Sequence, residues 1–202
     1  MKKIFALVLF FSAALIANPS SAEEAPSRFF SGMELLTGYS RGMLLSRNWY
    51  VVHEKKRPYQ LIPLMADFNF DLKYLTKKIN FNPSPLLQFQ VEPFVNYVFT
   101  PSSNVEAGTN FALKAGLLPQ ASKLQPYLKL SLGLAYMSQH TSEQSTRFNF
   151  TEQAGAGVHY FFNTHTAVTL EGRFRHLSNA GIKQPNHGIN NYFILTGIAY
   201  QF

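Results

Sequence analysis

The chain has 202 residues, 46% of them apolar, 15% aromatic and only 14% charged, with no cysteine and a formal charge of +7. That composition excludes a disordered polymer, a disulfide-stapled secreted domain and a cysteine-ligated zinc module. The length argues for one domain, and so low a charge density implies that something other than water solvates much of the surface.

Residues 1–22 read as a secretory signal peptide. Lys2 and Lys3 form a positive n-region, Ile4 to Ala17 an apolar run of 14 residues, and Ser20 and Ala22 the small positions of a cleavage site. The run is too short to stay in a bilayer as a helix, and no cysteine follows the cut to carry a lipid anchor. Residues 23–202 are then expected to form a single transmembrane β-barrel domain. Their 16 basic and 11 acidic residues leave a charge of +5. The basic residues are scattered, so no nucleic-acid partner is expected.

Beyond residue 22 no apolar run approaches the roughly 20 residues of a membrane helix. The pattern instead has period two. Along 126–136, Leu128, Leu130, Leu132, Leu134 and Tyr136 alternate with Lys129, Ser131, Gly133 and Ala135. Eight such segments are predicted: 32–40, 59–72, 86–99, 105–117, 125–137, 147–162, 165–176 and 191–202. They are long for a soluble sheet, even in number, and end on the aromatic Phe202. An exported chain of this kind fits an eight-stranded antiparallel outer-membrane β-barrel. A soluble lipocalin-like barrel, with the apolar register turned inward, is the alternative.

The polar register favours the membrane version. Asp67, Asp71, Glu92, Glu106, Lys114, Lys129, Glu171, Arg173 and Arg175 all fall opposite the apolar stripes. In a narrow barrel they would pair across the interior and fill it, which argues against a diffusion porin. With both termini periplasmic, connections 73–85, 118–124 and 163–164 face the periplasm. Connections 41–58, 100–104, 138–146 and 177–190 face outside. Trp49, Tyr50 and Tyr59 are assigned to an aromatic interface girdle.

No catalytic motif of the familiar hydrolases, metalloproteases or phosphate-binding loops occurs, and the six histidines lack metal-ligand spacing. One segment stands apart, from Arg175 to Asn191. If strand 165–176 stays extended, His176 and Ser178 follow Val168, Leu170 and Phe174 onto the lipid-facing side near the outer rim. A bulge would turn both inward. Polar groups aimed at lipid are costly and point to function. A serine hydroxyl becomes a nucleophile when a neighbouring imidazole takes its proton, a carboxylate ordinarily orients that imidazole, and an Asn such as Asn179 or backbone amides hold the oxyanion. The plainer reading makes His176 and Ser178 interfacial residues satisfied by loop backbone and headgroups.

The stretch from His176 to Ala180, followed by Asn186, Gly188 and a last strand, resembles the lipid A 3-O-deacylase (PagL) family. The resemblance implies an eight-stranded outer-membrane barrel with a Ser-His-Glu triad facing the membrane, and matches His176 to the base, Ser178 to the nucleophile and Asn179 to the oxyanion residue. The family's Glu falls at Asn190, which can orient an imidazole but cannot neutralise its charge. Glu152 is a candidate substitute acid, because pairing about the 163–164 turn brings it roughly opposite 175–176. Lys183 and His187 share the outer loop, either as solvated residues or as contacts for lipid A phosphates.

The expected function is an outer-membrane esterase that removes the 3-O-linked acyl chain of lipid A, with lipopolysaccharide in the outer leaflet as partner and no cofactor or metal. The alternatives are a non-catalytic barrel with a structural or lipopolysaccharide-binding role, and an esterase for another glycerolipid.

Overall fold

Alternation of apolar and polar side chains builds strands whose two faces need different surroundings, and the computed structural model resolves that need by closing the sheet. It describes residues 28–42, 58–141 and 143–202. The signal-peptide segment, Trp49, Tyr50 and most of connection 41–58 lie outside the described residues.

Eight strands follow in chain order: β1 (Phe30–Gly42), β2 (Gln60–Asp71), β3 (Pro85–Thr100), β4 (Asn104–Pro119), β5 (Leu124–Met137), β6 (Phe148–Phe161), β7 (Thr166–Ser178) and β8 (Ile189–Gln201). Each pairs antiparallel with the next, and β1 pairs with β8 to close the barrel. Closure matters because an open edge cannot be satisfied in lipid. Strands of 12 to 16 residues tilted as barrel strands are span about 30 Å, the thickness of a bilayer's hydrocarbon core. Among the described residues no helix is long and apolar enough to cross a membrane.

The outward register is apolar. On β5, Leu132 is 66% exposed while Lys129, in the opposite register, is 2% exposed. Inside, the charged residues pair as the polar register predicts. Lys129 Nζ donates to Asp67 at 2.7 Å and to Glu92 at 2.6 Å, and Arg173 meets both Glu92 and Glu171 at 2.6 Å. Arg175 meets Glu106 at 2.7 Å, and Lys114 pairs with Glu34. Asp71 caps the turn after β2, accepting from the Lys73 backbone N–H at 2.8 Å.

Two departures from the sequence-based expectation have physical reasons. The interior is not polar throughout: Leu36, Leu61, Met65, Phe94, Val98, Met137, Leu177 and Phe193 form an apolar plug at the end opposite the termini. Tyr59 is not a girdle residue, because its hydroxyl donates to Glu106 Oε1 at 2.7 Å inside the barrel, where it completes the shell of the carboxylate held by Arg175. The connection after β2 contains a helical turn, Lys73–Thr76, and a 3-10 turn, Lys77–Ile79.

Candidate active site

Strand parity, on which the placement of His176 and Ser178 depends, is settled by the ladder. β7 pairs with β6 and β8 without a bulge, and it extends to Ser178, two residues beyond the predicted end. Residues 167, 169, 171, 173, 175 and 177 are buried inside, so His176 and Ser178 face outward, both half-buried.

The register then assembles a row. His176 lies opposite Glu152 on β6 and opposite Asn190 on β8, while Ser178 lies opposite Phe150. Directly opposed side chains have Cβ atoms about 5 Å apart, so all three polar groups share one patch of the lipid-facing wall. His176 Nδ1 and Asn190 Oδ1 are 2.6 Å apart. Since an amide oxygen only accepts, this bond puts the proton on Nδ1 and leaves Nε2 as an acceptor. Glu152, on the other flank, places a carboxylate between Phe150 and Ala154 on the same face.

Below this row the wall opens into a groove of about 550 Å³. Its sides include Phe111, Leu113, Leu130, Leu132 and Phe174, and Glu152 and His176 line one end. The row paired through residues 176, 152, 132 and 111 starts near the loop end of β7 and lies progressively farther from that end on β5 and β4, because the strands are staggered. The groove therefore descends from the outer rim toward the bilayer core, a path suited to an acyl chain.

Two features of the following loop are not legible in the sequence as parts of a site. Gly188 has φ +75°, and a Cβ built there would stand 2.5 Å from His176 Cε1. The glycine lets the loop backbone lie against the imidazole, and any side chain would displace the ring. Its one signal in the sequence is its place in the run after His176. The second is a tie between the two outer loops. Gln144 bridges to Asn186, Ser145 N–H donates to Pro185 O at 3.0 Å, and His187 N–H donates to Glu143 O at 2.9 Å.

Asn179, the expected oxyanion residue, belongs to that tie. Its Oδ1 accepts from the Gly181 N–H at 3.0 Å, and its Nδ2 donates to Lys183 O at 2.7 Å and to Ser145 Oγ at 3.4 Å. Its own N–H donates to Asn186 Oδ1 at 3.0 Å, and the residue is fully buried. The side chain closes a turn on its own backbone, as Asn does in loops, and both of its ends are committed there. Lys183 and His187 are exposed on the same loop.

The family described as lipid A 3-O-deacylase (PagL) matches residues 64–199 of the chain. No curated protein matches it in sequence. Among solved structures, the outer membrane enzyme PagL aligns with 15% identity and a TM-score of 0.55, covering 83% of this chain and 97% of that one. Neisserial surface protein A aligns with 11% identity and a TM-score of 0.57, covering 85% and 97%. At those identities the structural likenesses speak for the barrel fold, while the family match spans the strands that carry the His176 row.

Proposed function

The chain belongs to the lipid A 3-O-deacylase (PagL) family, an outer-membrane barrel family, and from that premise we propose that it hydrolyses the 3-O-linked acyl ester of lipid A through Ser178 and His176. The observation that carries the reading is the outward row of Glu152, His176 and Asn190 beside Ser178, at the head of an apolar groove in the lipid-facing wall. Nothing about anchoring a barrel requires an imidazole, a carboxylate, an amide and a hydroxyl to face lipid together.

In this mechanism His176 Nε2 takes the Ser178 Oγ proton as Oγ attacks the ester carbonyl. The tetrahedral intermediate collapses, the sugar 3-oxygen leaves with the proton from His176, and the acyl chain stays on Ser178. Water, deprotonated by His176, then releases the fatty acid and restores the serine. Loop amides serve the oxyanion, among them the NH₂ of Asn186, whose Oδ1 is already held by the Asn179 N–H. Two residues divide the work of the missing acid. Asn190 fixes the tautomer through Nδ1, and Glu152 supplies negative charge from the opposite flank to the imidazolium that forms.

The substitution of Asn for the family's acid at position 190 also favours a second reading, a non-catalytic barrel that binds lipopolysaccharide. Mass spectrometry of lipid A incubated with the refolded protein separates the two. Loss of one hydroxyacyl mass with the wild type but not with Ser178→Ala supports the esterase. Unchanged lipid A from a folded wild-type barrel, shown folded by its heat-dependent gel shift, supports the binding reading.

A further inference from the structure

The connection between β2 and β3 leaves the barrel at the end that carries both termini, the periplasmic end of such barrels. It is not an ordinary turn. From Leu72 to Pro85 it contains three lysines and no acidic residue. Four large apolar side chains within eight positions stand exposed: Tyr74, Leu75, Ile79 and Phe81, with Ile79 75% exposed. The segment is also built rather than slack. Lys73 is buried and donates to Ser84 O at 3.2 Å and to Gln120 Oε1 at 2.7 Å, which fastens the turn to the β4–β5 connection.

Tyr74 joins this exposed apolar group to the barrel's lipid-facing surface. Phe29 packs on Phe70 with ring centroids 5.3 Å apart, and the same Phe29 meets Tyr74 at 6.0 Å. Phe70 in turn lies 6.3 Å from Phe89 on the outer wall. Lys78 Nζ lies 5.8 Å from the Tyr74 ring centroid, so positive charge borders the apolar patch where it reaches the membrane surface. An apolar face bordered by a lysine and joined to a transmembrane wall has the composition of an interfacial membrane element.

We infer that segment 72–84 is a membrane foot: its Tyr74, Leu75, Ile79 and Phe81 enter the periplasmic leaflet of the outer membrane, and Lys78 meets anionic phospholipid headgroups there. The foot sets how deep the barrel sits, and it does so whether or not Ser178 reacts.

The test uses the refolded protein with its single tryptophan removed (Trp49→Phe) and a reporter introduced as Ile79→Trp. It is reconstituted in vesicles of phosphatidylcholine brominated on the acyl chains, with and without phosphatidylglycerol. A residue held at the headgroup–acyl boundary emits to the blue of an Ala121→Trp control in the neighbouring polar turn, and is quenched about twofold or more by the brominated lipid. Phe81→Trp gives the same readout at a second position if Ile79→Trp refolds poorly. Water-like emission without quenching at both positions overturns the inference, and leaves the patch to a protein partner. Lys78→Glu is expected to weaken the quenching only when the anionic phosphatidylglycerol is present. No difference between the two vesicles overturns the contact with anionic headgroups.

Discussion

At the scale of single residues, the site turns on what surrounds one imidazole. His176 has Asn190 at Nδ1, Glu152 across the strand on the other side, and the Gly188 backbone against its edge. Each neighbour makes a separate prediction. Glu152→Gln keeps size and hydrogen bonding but removes the charge, and is expected to lower the deacylation rate about 10- to 100-fold; a wild-type rate would remove Glu152 from the mechanism. Asn190→Glu restores a carboxylate at Nδ1 and is expected to raise kcat about tenfold or more, since a charged partner stabilises the imidazolium that an amide merely orients. Gly188→Ala forces a methyl group into the imidazole and strains a positive φ. A displaced base is expected to cost about 100-fold in kcat with a barrel that still folds. The ring proton resonances of His176 should shift in that variant even in the Ser178→Ala background, which separates displacement from a mere loss of fold.

At the scale of elements, β7 and the loop after it act as one unit. The strand aims His176 and Ser178 at lipid because twelve paired residues keep strict alternation to the last one. The loop is then drawn over the site by Asn179, whose four hydrogen bonds join Gly181, Lys183, Asn186 and Ser145. Removing the side chain's share of them by Asn179→Ala is expected to open segment 179–188 to protease and to lower activity, while the unfolding midpoint of the barrel barely moves. Cleavage at the wild-type rate would show that the tie between the outer loops is held by its backbone bonds alone. The small residues Ala154 and Ala156 on β6 and Gly172 on β7 face the same side, and a Cβ at Gly172 would meet nothing within 4 Å. This stretch of wall is thin, and the groove beside it follows from that.

At the scale of the molecule, stability and site are built on opposite faces of one sheet. The interior carries a linked set of charges in which Glu92 accepts from Lys129, Arg173 and Asn110. All of these side chains are sealed from water. Removing one member of such a set strands its buried partners, at a cost of about 3–5 kcal/mol. Glu92→Gln is therefore expected to lower the urea midpoint of unfolding substantially while the surviving folded fraction deacylates lipid A normally. Equal losses of stability and of specific activity would mean that the interior network also shapes the outer wall.

Much of this architecture is legible in the amino-acid sequence. Alternation with period two, run for a dozen residues eight times over, marks long strands with two unlike faces, and once the barrel is set in lipid the inward and outward residues follow from parity. The turn around Asn163-Thr164 narrows the partner of Glu152 to residue 175 or 176, and the ladder selects His176. What a linear sequence does not hold is distance across the chain. Tyr59 reads as an interfacial aromatic until Glu106, 47 residues away, claims its hydroxyl. The sequence does not show that the Asn179 side-chain amide donates to Lys183 O and Ser145 Oγ and its backbone N–H to Asn186, and Gly188 reads as a turn residue until the imidazole is seen against it. Hydrophobic periodicity is a local property repeated along a strand, so one chain suffices to read it. The commitment of a polar group depends on partners that only closure of the barrel brings within hydrogen-bond reach.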